Sequence, residues 1–246
     1  MSVPPCASGH GGLFAEHLPL WRERLGALKA SLAATGRRRG LTLILMLGST
    51  NDEALKLDAE MEGRIQLACD LLRSGTKECP AVLMPSGWHS CEWFNRTSTP
   101  QWQISAGRAD VLLADHKAES GTGLFLPGLP GCHTVGEAVL LHMLVSQLLV
   151  PELTGLVEAL HVHVVTGEFH RERSDHLFRT VIAALPQADK AADGVAVDFQ
   201  MSCAPTVMAG KELEGRLQHE KKGLETLRSN PFGEWKDWQE GIGYHK

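Results

Sequence analysis

The 246-residue sequence lacks the patterns that would name a chemistry outright. It holds no G-x-G-x-x-G and no Walker motif, so neither a dinucleotide-binding nor a P-loop nucleotide fold is supported. H-E-x-x-H is also missing, and "FHRERSDH", Phe169 to His176, lacks a known zinc spacing. His161 and His163 share one strand face but have no recognisable partner set, so no metal is expected. There is no G-x-S-x-G nucleophile elbow, and Cys91 and Cys132 have no evident activating pair. None of the six cysteines forms a C-x-x-C pair, and a chain this long does not need disulfide staples; reduced thiols in a cytosolic compartment are expected.

Excess positive charge is missing too. A net charge of −5 and a pI near 6.2 leave no electrostatic footprint for nucleic acid, and Arg37-Arg38-Arg39 reads as a solvated loop. The first residues have neither a basic stretch nor an apolar core of a signal peptide. No run reaches the roughly 18 apolar residues of a membrane span. A cytoplasmic protein that neither enters a membrane nor binds nucleic acid is the expectation, with protein partners left open. Leu18, Trp21, Leu25, Leu28 and Leu32 recur on one helical face, which predicts a helix docked on the main fold.

What is present is alternation. "LTLILMLG", Leu41 to Gly48, is a continuous apolar run of the kind found in a parallel strand covered on both faces. A helix follows over Asp58 to Arg73, with Gly75 as its stop, and "AVLMPSG", Ala81 to Gly87, is a second strand. A loop from Trp88 to about Ser105 leads into a helix around Ala106 to His116. Gly123 to Gly131 offers a short third strand. The long apolar helix that follows begins at Thr134, with Glu137 three residues on as a capping box. Leu160 to Thr166, a helix over Arg173 to Leu185, and Val195 to Met201 complete five strands. This order predicts an α/β fold, a three-layer Rossmann-like arrangement around a mostly parallel sheet, with ligands bound beyond the carboxyl ends of the strands. Residues 1–40 form an N-terminal helical extension, 41–205 the α/β domain, and 206–246 a C-terminal helix and docking tail. Leu213, Leu217, Leu224 and Leu227 mark that helix, and Phe232, Trp235, Trp238 and Tyr244 mark the tail.

The sharpest change of polarity falls in "HVHVVTGEFHRERSDH", His161 to His176. Thr166 ends the strand, and His170 and Arg173 can share the first helical turn, whose free amides favour an anion. Glu168 is placed to orient His170. A charged connector explains the same stretch without any ligand. Two other strand ends, Gly48-Ser49 and Ser86-Gly87, carry small or hydroxyl residues that permit close backbone approach. Three such ends in one parallel sheet converge on one edge.

"VVTGEFHRERS" resembles the "VTS-x-x-H-x-x-R-A" signature of the YdcF/SanA/ElyC-type family, a domain group of unknown function. Leu43 to Ser49 is similar to the family's first strand. Arg64, Ala68, Leu72 and Gly75 resemble its "R-x-x-x-A-x-x-L-x-x-G" helix, Ser86-Gly87 its "SGG" strand end, and Thr134 and Ala138 its "N-T-x-E-N-A" block. Trp88, His133, Gly136 and Glu137 depart from the pattern. The resemblance implies a Rossmann-like fold with a polar pocket at the strand ends, and it carries over no reaction and no envelope role.

Together these readings lead to a protein that binds a small anionic or nucleotide-like ligand and can act as a transferase or hydrolase upon it. Arg64 and Arg173 would hold negative charge, His170 would be acid or base, and Glu168 or Glu137 would orient it. Gly48, Ser49, Ser86, Gly87, Thr134 and Thr166 would line the site. The cofactor is unknown. One alternative is a non-catalytic binder of an adenosine-bearing ligand such as S-adenosylmethionine; another is a scaffold acting through its helical, aromatic C-terminal tail.

Overall fold

A strand that is apolar on both faces can be satisfied only in the middle of a layered structure, and β1 (Arg38–Met46) lies there. It pairs in parallel with β2 (Ala81–Pro85) on one flank and with β3 (Val157–Gly167) on the other; β3 pairs in parallel with β4 (Ala196–Ala204). The order is β2-β1-β3-β4. This computed structural model describes residues 9–34, 36, 38–48, 57–87, 101–115, 125–131, 134–183, 185 and 194–229.

Helices cover both faces, so the fold is α/β with a three-layer, Rossmann-like plan. On one side α2 (Ala59–Arg73) and α3 (Gln101–Leu112) bury Met61, Ile65 and Ala109 against Ile44, Met46, Leu83 and Val165. On the other, α1 (Gly9–Ala33), α4 (Thr134–Leu144) and α5 (Arg171–Ala183) pack on Leu43, Leu45, Met84, Val162 and Val164. Side chains buried as fully as Leu43 and Leu45 of β1 or Val162 and Val164 of β3 each contribute about 1.5–3 kcal/mol, so the two interior strands anchor the sheet. A final helix, α6 (Gly210–Ser229), lies against α5 and the turn that precedes it.

The expected third strand is only partly realised. Two parallel bridges, Leu83 with Phe125 and Ser86 with Leu129, place residues 125–129 along the free edge of β2 without a continuous ladder. Pro85 of β2 explains this, because it faces the segment without an N–H to donate, and Leu129 rather than Gly128 donates to the Pro85 carbonyl, which breaks the regular alternation after Leu126. With this segment counted, the chain runs 3-2-1-4-5 across the sheet. The direction of winding therefore reverses between β1 and β3, which makes the crevice at their carboxyl ends the switch point.

Other boundaries move for local reasons. Helix α3 starts at Gln101, ahead of the expected Ala106, because its buried stripe is Gln101, Ser105 and Ala109, which has no apolar periodicity to read. Asp58 caps α2 as a side-chain acceptor from the Met61 amide at 2.7 Å. Gly75 is not a left-handed stop; a Cβ there would come within 2.9 Å of the Ala81 nitrogen, so glycine is required by close packing. The predicted Thr134–Glu137 capping box does not form, since both side chains bond to other elements.

A π-helical turn at Val145–Leu149 and a last turn at Val150–Leu153 continue α4. This 20-residue run has the length of a membrane span and an 18-residue window of mean hydropathy 1.4, contrary to the expectation that no such run occurs, yet 67% of that window is buried. Trp21 of α1 closes that side, with its indole N–H donating to the Pro127 carbonyl at 3.2 Å. Of the C-terminal aromatic residues, Phe232, Trp235, Trp238 and Tyr244 lie outside the described residues.

Candidate functional site

Gly48 and Ser86-Gly87 follow β1 and β2, and Thr166-Gly167 end β3, at one carboxyl edge, as the parallel register requires. Close approach is built into this edge. A Cβ on Gly48 would lie 2.4 Å from the Gln101 side-chain oxygen and 3.2 Å from the Gly87 Cα; Gly87 itself has φ +113°, a conformation side-chain-bearing residues rarely adopt.

Arg64 projects from α2 into the switch point. It is only 2% exposed, and its Nη1 donates to the carbonyl oxygens of Leu47, at 3.2 Å, and Gly48. These bonds tie the end of β1 to α2. Its Nε has no partner, and neither has the buried Thr166 hydroxyl at the neighbouring strand end. Gly167 lets the guanidinium pass, since a Cβ there would meet Arg64 Nη2 at 3.0 Å. The Phe169 ring flanks it, 5.8 Å from the guanidinium carbon. Burial pushes the guanidinium below its ordinary pKa, and the charges of Asp58, Glu137, Glu60 and Glu220 oppose that shift. No carboxylate among the described residues bonds to Arg64, so its cation is answered only from a distance.

Glu137, one turn into α4, reaches the ends of β1 and β2. Its carboxyl bonds to the Ser86 hydroxyl and lies 3.4 Å from the Gly48 amide, which also donates to Ser86 Oγ at 3.1 Å. Burial raises its pKa; the Ser86 hydroxyl, the Gly48 amide and the charges of Arg64 and Arg173 pull the other way without reversing the shift.

The third group joins three elements. A 3-10 turn, Glu168–His170, follows β3. His170 Nε2 lies 2.8 Å from the Thr134 hydroxyl, and Nδ1 lies 2.8 Å from Glu220 Oε2 on α6. An ionised carboxylate only accepts, so Nδ1 carries the proton and Nε2 presents its lone pair to the Thr134 O–H. Burial lowers the imidazole pKa to about 4, against the opposing pull of Glu220. His170 is therefore a neutral base at pH 7. Arg173 is the cation that faces Glu220, through Nε at 2.7 Å and Nη2 at 3.1 Å. Burial pushes Glu220 upward, but the bonds and charges of His170 and Arg173 outweigh it and hold its pKa below the ordinary value.

Most of the predicted residues thus meet at one edge, with changes of role. Glu168 is exposed and does not orient His170; Glu220 does. Arg173 is committed to Glu220. Ser49 lies outside the described residues, as do Trp88 and His133. Nothing in the Leu-patterned helix marked Glu220, since its contact with His170 spans 50 residues of sequence. Glu60 was also missed; it is 5% exposed, and its Oε1 accepts from the Val207 and Met208 amides at 2.6 and 3.0 Å, anchoring the segment between β4 and α6.

The chain matches no family model, no curated protein and no solved structure. The likeness to the YdcF/SanA/ElyC-type blocks therefore stands on those short motifs alone.

Chemistry elsewhere is weaker. His161 Nδ1 bonds to Asp198 at 2.6 Å and His163 Nε2 to Ser202 at 2.8 Å, and no cluster of three metal-ligating side chains occurs among the described residues. Burial pushes the Cys69 thiol up to about 11, which keeps it unreactive at neutral pH. Two half-open surface hollows of about 370 Å³ lie elsewhere, one along α5 at Arg171 and Arg179 and one on the sheet face at Thr42 and His161. Neither is lined by a buried unpartnered group, whereas the carboxyl edge of the sheet holds Arg64 Nε and the Thr166 hydroxyl.

Proposed function

We propose that this chain binds a small anionic, phosphate-bearing or nucleotide-like ligand at the switch point between β1 and β3, and that His170 can act on it as an acid or base. One observation carries the reading: Arg64 is a buried guanidinium with an unpartnered Nε, beside an unpartnered Thr166 hydroxyl. Leaving such groups unbonded costs about 1–3 kcal/mol each, a cost that a ligand with acceptor oxygens removes. Burial shifts Glu137 upward and His170 downward, each toward its neutral form, which is the direction an acid and base pair for group transfer needs.

Thermal shift with orthophosphate, AMP, a sugar phosphate and S-adenosylmethionine tests this. A ligand at 100 times its Kd stabilises by about 2.7 kcal/mol. Thr166→Val separates ligand contact from structure. It removes an unbonded buried hydroxyl, so the ligand-free melt stays level or rises, while the ligand-induced shift shrinks. A shift from S-adenosylmethionine alone, with no turnover, favours the non-catalytic binder. No shift with any compound sinks the proposal and leaves a scaffold.

A further inference from the structure

We propose that Thr134 is a nucleophile, and that the site transfers a phosphoryl group from a phosphate monoester onto its hydroxyl, with His170 as general base and Glu220 as positioning residue. This rests on the anion-binding reading above and adds the reaction. A threonine that served only to begin a helix would hand its side-chain oxygen to a nearby backbone amide. Thr134 instead lies 2.8 Å from an imidazole nitrogen whose tautomer is fixed, from the far side, by a carboxylate at 2.8 Å. Hydroxyl, imidazole and carboxylate come from α4, the turn after β3, and α6, which no local folding preference would assemble. The order is that of an activated hydroxyl nucleophile, with the base oriented by a third group.

Phosphorus is favoured over carbon as the electrophile by the charge around it. Arg64 supplies a guanidinium that no described carboxylate bonds, suited to the equatorial oxygens of a transferring phosphoryl group. Glu137, three residues after Thr134 and so on the same helical side, supplies an acid. In the first step the Thr134 oxygen bonds to phosphorus as its proton passes to His170 Nε2. The ester P–O bond breaks, and the leaving alkoxide takes the proton of Glu137. In the second step water attacks phosphorus and gives a proton to the Glu137 carboxylate, while His170 returns its proton to the departing Thr134 oxygen. Atoms and charges balance over the cycle, and the products are an alcohol and orthophosphate.

The test uses the full chain with p-nitrophenyl phosphate, followed by acid quench, proteolysis and mass mapping. Expected are release of p-nitrophenolate and a phosphorylated peptide that contains Thr134. Thr134→Ala should lose both yet keep the thermal shift with orthophosphate, and Thr134→Ser should keep both. His170→Gln should slow phosphopeptide formation by about a hundredfold or more. Glu220→Gln should lower kcat about tenfold with KM unchanged, and Glu220→Asp should recover part of it; a purely structural role would lower the melt and spare kcat in the folded fraction. A wild-type protein that binds orthophosphate but yields neither nitrophenolate nor phosphopeptide overturns the nucleophile and leaves the anion site standing. Absence of a thermal shift with orthophosphate, AMP, the sugar phosphate and S-adenosylmethionine alike overturns both.

Discussion

Arg173 shows how a residue can be found in the sequence and still be misread. Its place three residues after His170 suggested an anion contact, but the structure pairs it with Glu220, and the two side chains are 17% and 10% exposed. Removing one partner of such a buried pair leaves the other charge unanswered, which costs about 3–5 kcal/mol. Arg173→Ala is therefore expected to shift the urea midpoint strongly, and an unchanged midpoint would refute the buried-pair account. His170 gives a matching pH signature. Its folded pKa of about 4 lies below the unfolded value near 6.5, so as pH falls the unfolded chain takes up the proton first. Stability is lost from about pH 6.5 down to 4, by about 3 kcal/mol in all, and Glu220, whose pKa is also depressed, adds its loss below the ordinary carboxylate range. His170→Gln should flatten the upper part of that curve in denaturant titrations run at several pH values. Polarity and strand ends made Thr166, His170 and Gly48 legible; partners far away in sequence did not become so.

Among the helices, α6 presents a narrow buried face. Of its 20 residues only Glu220, Leu224 and Leu227 are buried, and Leu217 is 47% exposed. A helix with so small a buried face opens at low cost, so its amides should exchange with solvent faster than those of α2 or α4. Leu227→Ala should weaken docking by about 2–3 kcal/mol. The readout is the His170 imidazole, whose pKa should climb from about 4 toward its ordinary value as α6 detaches, because burial is what holds it down. An imidazole titration unmoved by Leu227→Ala would show that α6 does not shield the site. Periodicity made elements of this kind readable wherever the buried stripe was apolar, as at Leu224 and Leu227. It failed at α3, whose stripe is Gln101, Ser105 and Ala109, and at residues 125–129, where proline interrupts the ladder.

At the scale of the whole molecule, the alternating pattern and the apolar β1 were enough to indicate a parallel sheet between helix layers, since few other arrangements satisfy a strand with two dry faces. Strand order was not readable, because it depends on which edge each crossover helix reaches. The α1 layer matters most where it covers α4. Trp21 is 1% exposed, and Trp21→Ala should cost about 3–5 kcal/mol, seen as a lowered melt together with dye binding to the uncovered α4 surface. A melt unchanged by this substitution would show that α1 is dispensable.

The distance in sequence between the groups that meet at the carboxyl edge also sets a schedule for the newly made chain. Gly48 and Arg64 leave the ribosome early, Thr134 and His170 later, and Glu220 last of the groups that meet at the crevice. During synthesis the sheet can assemble while the imidazole still lacks its carboxylate and Arg173 its partner. A chain that ended before residue 210 would thus keep all four strands of the sheet but lack the carboxylate that pairs with His170 and Arg173.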